Sequence, residues 1–127
     1  MSAEDVAAAL RAAISLSQTD GRQAYRHLTL ALERARSLNN HVGVVLLSSH
    51  AAVLCEGLGD LVAAGAHYEE ALRHESQDPY LWLAAAGIYT KQGRATDARA
   101  CLLQVVRCDD PEVGQMAAAI RSQLGDE

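Results

Sequence analysis

The chain has no phenylalanine, a single tryptophan, a single lysine (Lys91) and only two prolines in 127 residues. Basic residues are scarce overall: 11 Lys and Arg face 16 Asp and Glu, for a net charge of −5. No basic cluster is available to neutralise a run of phosphates, so nucleic acid is excluded as a partner class. Long apolar runs are missing too. None approaches the roughly 20 residues that cross a bilayer as a helix, and no membrane insertion is expected. The opening residues, Met1-Ser2-Ala3-Glu4-Asp5, lack the basic segment and apolar core of a signal peptide. Three cysteines, Cys55, Cys101 and Cys108, are an odd number without a CxxC spacing. They suggest no disulfide framework, and a reducing cytoplasm is the expected compartment. A Gly-rich phosphate loop, a nucleophile elbow and an HExxH pair are all absent, so no reaction template is visible and neither enzyme nor cofactor is expected.

What the chain does have is alanine, with leucine and arginine, and these favour helix. It also has a recurring stripe. After the turn signal Gly59-Asp60 come Ala64, Tyr68 and Ala71, spaced to share one face of a helix. The same spacing occurs 40 residues earlier as Ala24, Leu28 and Ala31, and 34 residues later as Ala98, Leu102 and Val105. Self-similarity at such a period is the signature of stacked helix pairs. Ahead of each copy lies a further helix with a small residue in the matching place (Ala12, Ala52, Ala86) and an apolar neighbour (Ile14, Leu54, Ile88). Small residues facing each other at Ala12/Ala24, Ala52/Ala64 and Ala86/Ala98 let the two helices of a pair approach closely.

Boundary residues agree with this phasing. Ser2 with Asp5 reads as a helix start. Asn39-Asn40 breaks the chain, and Gly59-Asp60 and Gly93 turn it. Asp78-Pro79 and Asp110-Pro111 each place a capping carboxylate before a first-turn proline. The spacing predicts helices near 3–18, 22–38, 41–57, 60–75, 79–92, 95–108 and 111–124. Val42, Val44 and Val45 would suit a strand, but the repeat phase overrides them.

The third pair carries a family resemblance. Trp82-x2-Ala85-Ala86-x2-Tyr89, followed by Ala98-x3-Leu102, resembles the tetratricopeptide-repeat pattern W-x2-L-G-x2-Y…A-x3-F, with alanine in the Leu and Gly places. The second pair keeps Ala64, Tyr68 and Ala71 but has Ser48 and Cys55 in aromatic places. The first has Arg11 in a leucine place and Gly21 later than the usual turn glycine. The resemblance spans residues 3–108 and implies an all-α solenoid of three repeats (3–38, 41–75, 79–108) within one domain, 1–127. A final helix, 111–124, would cap it, with Val113, Met116, Ala117, Ile120 and Leu124 on the covered face. Residues 6–16 are apolar around most of the helix, which calls for cover by a partner or a second copy, unless small alanines tolerate exposure.

In this family the first helix of each pair lines a concave groove that receives a protein ligand. Carried over, the groove residues are Val6, Ala9, Ala13 and Leu16, then Leu46, Ser49, Val53 and Glu56, then Tyr80, Leu83, Gly87, Thr90 and Lys91. Ala9, Ala13, Ser49, Val53, Leu83 and Gly87 stand where a carboxylate clamp would have Lys, Asn and Arg. An apolar helix or extended segment of a partner protein is therefore the expected occupant, and a non-catalytic adaptor or scaffold the expected role. Two alternatives stand beside it: a small acidic chaperone of a secretion-system subunit, and a subunit that self-associates through its first helix. The histidines and cysteines form columns (His27, His67 and Cys101; His74 and Cys108). Neighbouring helix axes are about 8–10 Å apart, too far for shared zinc ligands at about 2.0–2.3 Å. No metal site is expected from these columns, Glu69-Glu70 reads as a solvated face, the histidines as surface residues, and Cys55 as a core thiol.

Overall fold

The computed structural model describes residues 1–125, and among these it is all-α. Its helices are α1 (Ala3–Ser17), α2 (Gly21–Ser37), α3 (His41–Gly57), α4 (Leu61–His74), α5 (Pro79–Lys91), α6 (Ala95–Leu103) and α7 (Pro111–Gln123). The starts follow from local chemistry. Ser2 and Asp5 form a reciprocal capping box on α1, with Ser2 Oγ accepting from the Asp5 amide at 3.1 Å. Asp20, Asn40, Asp60, Asp78 and Asp110 each accept a backbone N–H of the following first turn. Such caps satisfy amides that have no partner inside the helix. Asn39 takes the left-handed conformation (φ 54°) that swings the chain from α2 into α3.

One element is shorter than its sequence implied. The helix expected over 95–108 stops at Leu103, and residues 104–107 wind in tight turns. The amides of Gln104, Val105 and Cys108 bond three residues back, to Cys101, Leu102 and Val105. These i→i−3 bonds tighten the winding, which buries Val105 and leaves Val106 61% exposed. The valine-rich α3 is a helix throughout, as the repeat phase required.

The chain falls into two compact units, Met1–His74 and the part from Glu75 onward. In the first, α1 packs on α2, α2 on α3 and α3 on α4, with α1 also meeting α3. Its core joins Val6, Ala13, Leu28, Leu32, Val44 and Leu47. Ala24, Ala52 and Ala64 have no exposed surface, whereas Ala12 is only half-buried. In the second unit, α5 packs against both α6 and α7. Ala86, Ala98, Ile88, Val113 and Ala117 are buried there. Met116, grouped by the sequence with the covered face of α7, is 41% exposed. The Trp82 indole Nε1–H donates to the Ser76 carbonyl at 2.9 Å, so the repeat's signature tryptophan ties the approach of α5 to its own first turns.

Candidate partner-binding surface

In the first unit α1 and α3 enclose two apolar hollows that share Leu10. One, of about 120 Å³, is lined by Leu10, Ala13, Ile14, Val53 and Leu54, with His50 at its edge. The other, of about 410 Å³, lies between Met1, Ala7, Leu10, Val42 and Leu46. Val6 and Gly43 form part of its wall. Gly43 matters here, because a Cβ at that position would sit 3.2 Å from Val6 Cγ2 and 3.0 Å from the Asn40 side chain. Its absence allows α3 to approach α1 closely. Leu46, Val53, Ile14 and Val42 all remain exposed, so apolar surface at this seam faces water.

The expected groove residues divide accordingly. Val6 and Leu46 line one hollow, Ala13 and Val53 the other. Val6, Ala9 and Ala13 are themselves core residues, and Ala9 borders a different, open hollow on the α1–α2 side with Ala8, Ala12 and Leu30. The α1 residues that line the α1–α3 hollows are Ala3, Val6, Ala7, Leu10, Ala13, Ile14 and Ser17, so Val6 and Ala13 are joined there by residues outside the expected set. Leu16 and Glu56 are half-buried and line neither. Ser49 spends its hydroxyl on the Val45 carbonyl at 2.6 Å. On α5, Tyr80 is exposed, with its hydroxyl donating to Asp110 at 3.5 Å, Leu83 is buried, and Lys91 is exposed at the helix end. Gly87 and Thr90 are half-buried, and the Thr90 hydroxyl donates to the Ala86 carbonyl at 2.8 Å. Leu10 and Ile14, apolar residues outside the expected groove set, also line the hollows; their i,i+4 spacing is the signal for a second apolar stripe.

Behind this surface the unit is held by polar bonds that run from α2 to α4. Arg36 grips Glu70 with two nitrogens, Nε and Nη2, each at 2.6 Å. Glu70 is buried, which corrects its reading as part of a solvated face. The Arg36 bond is the main reason that its carboxyl lies below the ordinary range. His67 is likewise no surface histidine. It is half-buried, and its Nε2 lies 2.8 Å from the Tyr25 hydroxyl. Burial lowers the His67 pKa, which keeps the ring neutral and able to accept from Tyr25. Nearby, Cys55 is a buried thiol whose pKa burial pushes up. A raised pKa leaves that thiol protonated and unreactive.

The second unit has a hollow of about 630 Å³, bounded by Ser76, Trp82, Gln104, Arg107 and Cys108. Its lining is mixed and polar, and none of the expected groove residues borders it.

The sequence profile of the tetratricopeptide repeat matches residues 57–121, slightly more than half of the chain. The chain belongs to the tetratricopeptide-repeat family. No curated protein and no solved structure gave a match. Membership of the tetratricopeptide-repeat family makes this a protein–protein interaction module, with protein as its class of partner. Among the described residues no helix is long and apolar enough to cross a membrane.

Proposed function

We propose that this tetratricopeptide-repeat protein is an adaptor that holds an apolar segment of a partner protein against the α1–α3 face of its first unit. The observation that carries this reading is the pair of apolar hollows that share Leu10, with Leu46, Val53 and Ile14 left exposed along them. Singly exposed apolar side chains are normal on a protein surface, whereas contiguous ones mark interaction sites. A helix presenting apolar residues at i, i+3 and i+4 would fill hollows arranged along two parallel stripes. The polar groups nearby do not compete, since Ser49 is satisfied within its own helix.

The test is co-purification of the partner with the full chain from its native cell, comparing wild type with Leu46→Asp and Val53→Asp. Both residues are exposed, so the helical circular dichroism should be unchanged while capture falls at least tenfold. Capture that survives both substitutions would place the partner elsewhere.

A second reading, self-association through the first helix, is favoured by the exposed Leu30 of α2 that stands beside it. That leucine is 67% exposed beside an open hollow bounded by Ala8, Ala12 and Ala31. Light scattering at tens of micromolar separates the two: a monomer removes self-association, and a dimer broken by Leu30→Asp supports it.

A further inference from the structure

One close approach of two metal-ligating side chains in the first unit is a pair that the sequence columns did not join. His41, in the first turn of α3, and His74, the last residue of α4, bring their Nδ1 atoms to 2.9 Å. Their ring centroids are 4.7 Å apart with the planes tilted by 43°. Both residues are exposed. We propose that this pair is a two-imidazole site for a divalent late transition metal ion, with zinc as the test case.

Three features support it. First, the separation fits: two nitrogens each at 2.0–2.1 Å from a tetrahedral zinc lie about 3.3 Å apart. The rings need to open by a few tenths of an ångström and to tilt so that both Nδ1 atoms aim at one point, and no ring flip is needed because the same Nδ1 atoms already face each other. Second, the rings are carried on the ends of two helices that pack directly on each other, α3 and α4. The metal therefore does not have to gather two free side chains. Third, exposure lets water complete the coordination shell. Among the described residues no group of three or more His, Cys, Asp and Glu side chains converges, so the remaining positions belong to water. Such an open two-His arrangement suits zinc, copper or nickel, for which imidazole is a good ligand, and does not suit calcium or magnesium.

The proton balance is simple. In the metal-free pair one Nδ1 donates to the other, so one ring carries its proton on Nδ1 and the second on Nε2. Metal binding at both Nδ1 atoms moves the first proton to Nε2 of its own ring through solvent. Metal binding to the neutral pair therefore releases no net proton.

The experiment is calorimetric titration of the full chain with zinc chloride at pH 7.5, repeated on His41→Ala, His74→Ala and the control His27→Ala. One zinc per chain is expected, with affinity at least tenfold weaker in each of the first two variants and unchanged in the third. Imidazole nitrogen spectra of the wild type should show both Nδ1 resonances shifted by zinc, a readout independent of the variants. The proposal is overturned by any of three results: no binding to the wild type, binding indifferent to both substitutions, or binding lost instead on Cys108→Ser.

Discussion

The Tyr25–His67 and Arg36–Glu70 bonds join helices that are far apart in sequence, and both depend on protonation. His67 is held below its ordinary value of 6.5, mainly by burial. The folded chain thus binds fewer protons at this site than the unfolded chain, and stability rises with pH. The contribution is complete above about 6.5 and is lost as pH falls through the lower folded value. Glu70 adds a second loss at more acid pH, because its depressed carboxyl must be protonated below about 4.5. Urea unfolding at pH 7.5 and 5.5 should therefore show a fall in stability that His67→Gln reduces. Equal slopes in wild type and variant would remove His67 from the account. Glu70→Gln keeps the shape but leaves the Arg36 guanidinium without its ion partner. Arg36 is 44% exposed and can turn to water, so the cost should be nearer 1–2 kcal/mol than the 3–5 of a fully buried pair.

At the scale of the helix, the two glycines Gly43 and Gly114 lie in similar backbones but in different surroundings. A Cβ at Gly114 meets nothing within 4 Å, so Gly114→Ala should stabilise α7 by about 0.5–1 kcal/mol through helix propensity alone. At Gly43 the same change pushes on the Asn40 side chain, which caps α3, and on Val6. Overpacking of this kind costs about 1–3 kcal/mol, which outweighs the propensity gain, and Gly43→Ala should be less stable than wild type. Thermal melts of the two variants check both signs. The same contrast explains which parts of the fold could be read in advance. Ser2/Asp5, Asn39-Asn40, Gly59-Asp60 and Asp78-Pro79 act on amides within a few residues, so their spacing contained the answer. The end of α6 did not, because it rests on whether Val105 or Val106 is buried. The partners of Glu70 and His67 were also hidden, since they lie 34 and 42 residues away. For the candidate surface, the helices were legible, and Val6, Ala13, Leu46 and Val53 border the α1–α3 hollows. Leu10 and Ile14 join them because the lining spans more than one stripe of α1, and a step of one residue turns a helix by about 100°.

Taken as a whole molecule, the chain sets a net charge of −5 against an apolar candidate surface, and this decides how binding should respond to its medium. Were charge the main attraction, raising salt from 0.1 to 0.5 M would shorten the screening length from about 10 Å to about 4 Å and weaken capture strongly. Burial of Leu46, Val53 and Ile14 is governed by water instead, and should be indifferent to sodium chloride and strengthened by sulfate. It should also carry a negative heat-capacity change, the most robust mark of apolar burial. Calorimetry of the purified partner with the full chain at several temperatures and salt concentrations measures both. A steep salt dependence with little heat-capacity change would point to the charged surfaces and away from the α1–α3 hollows. The predicted combination, weak salt dependence with a clear negative heat-capacity change that Val53→Asp abolishes, ties the binding energy to that one face.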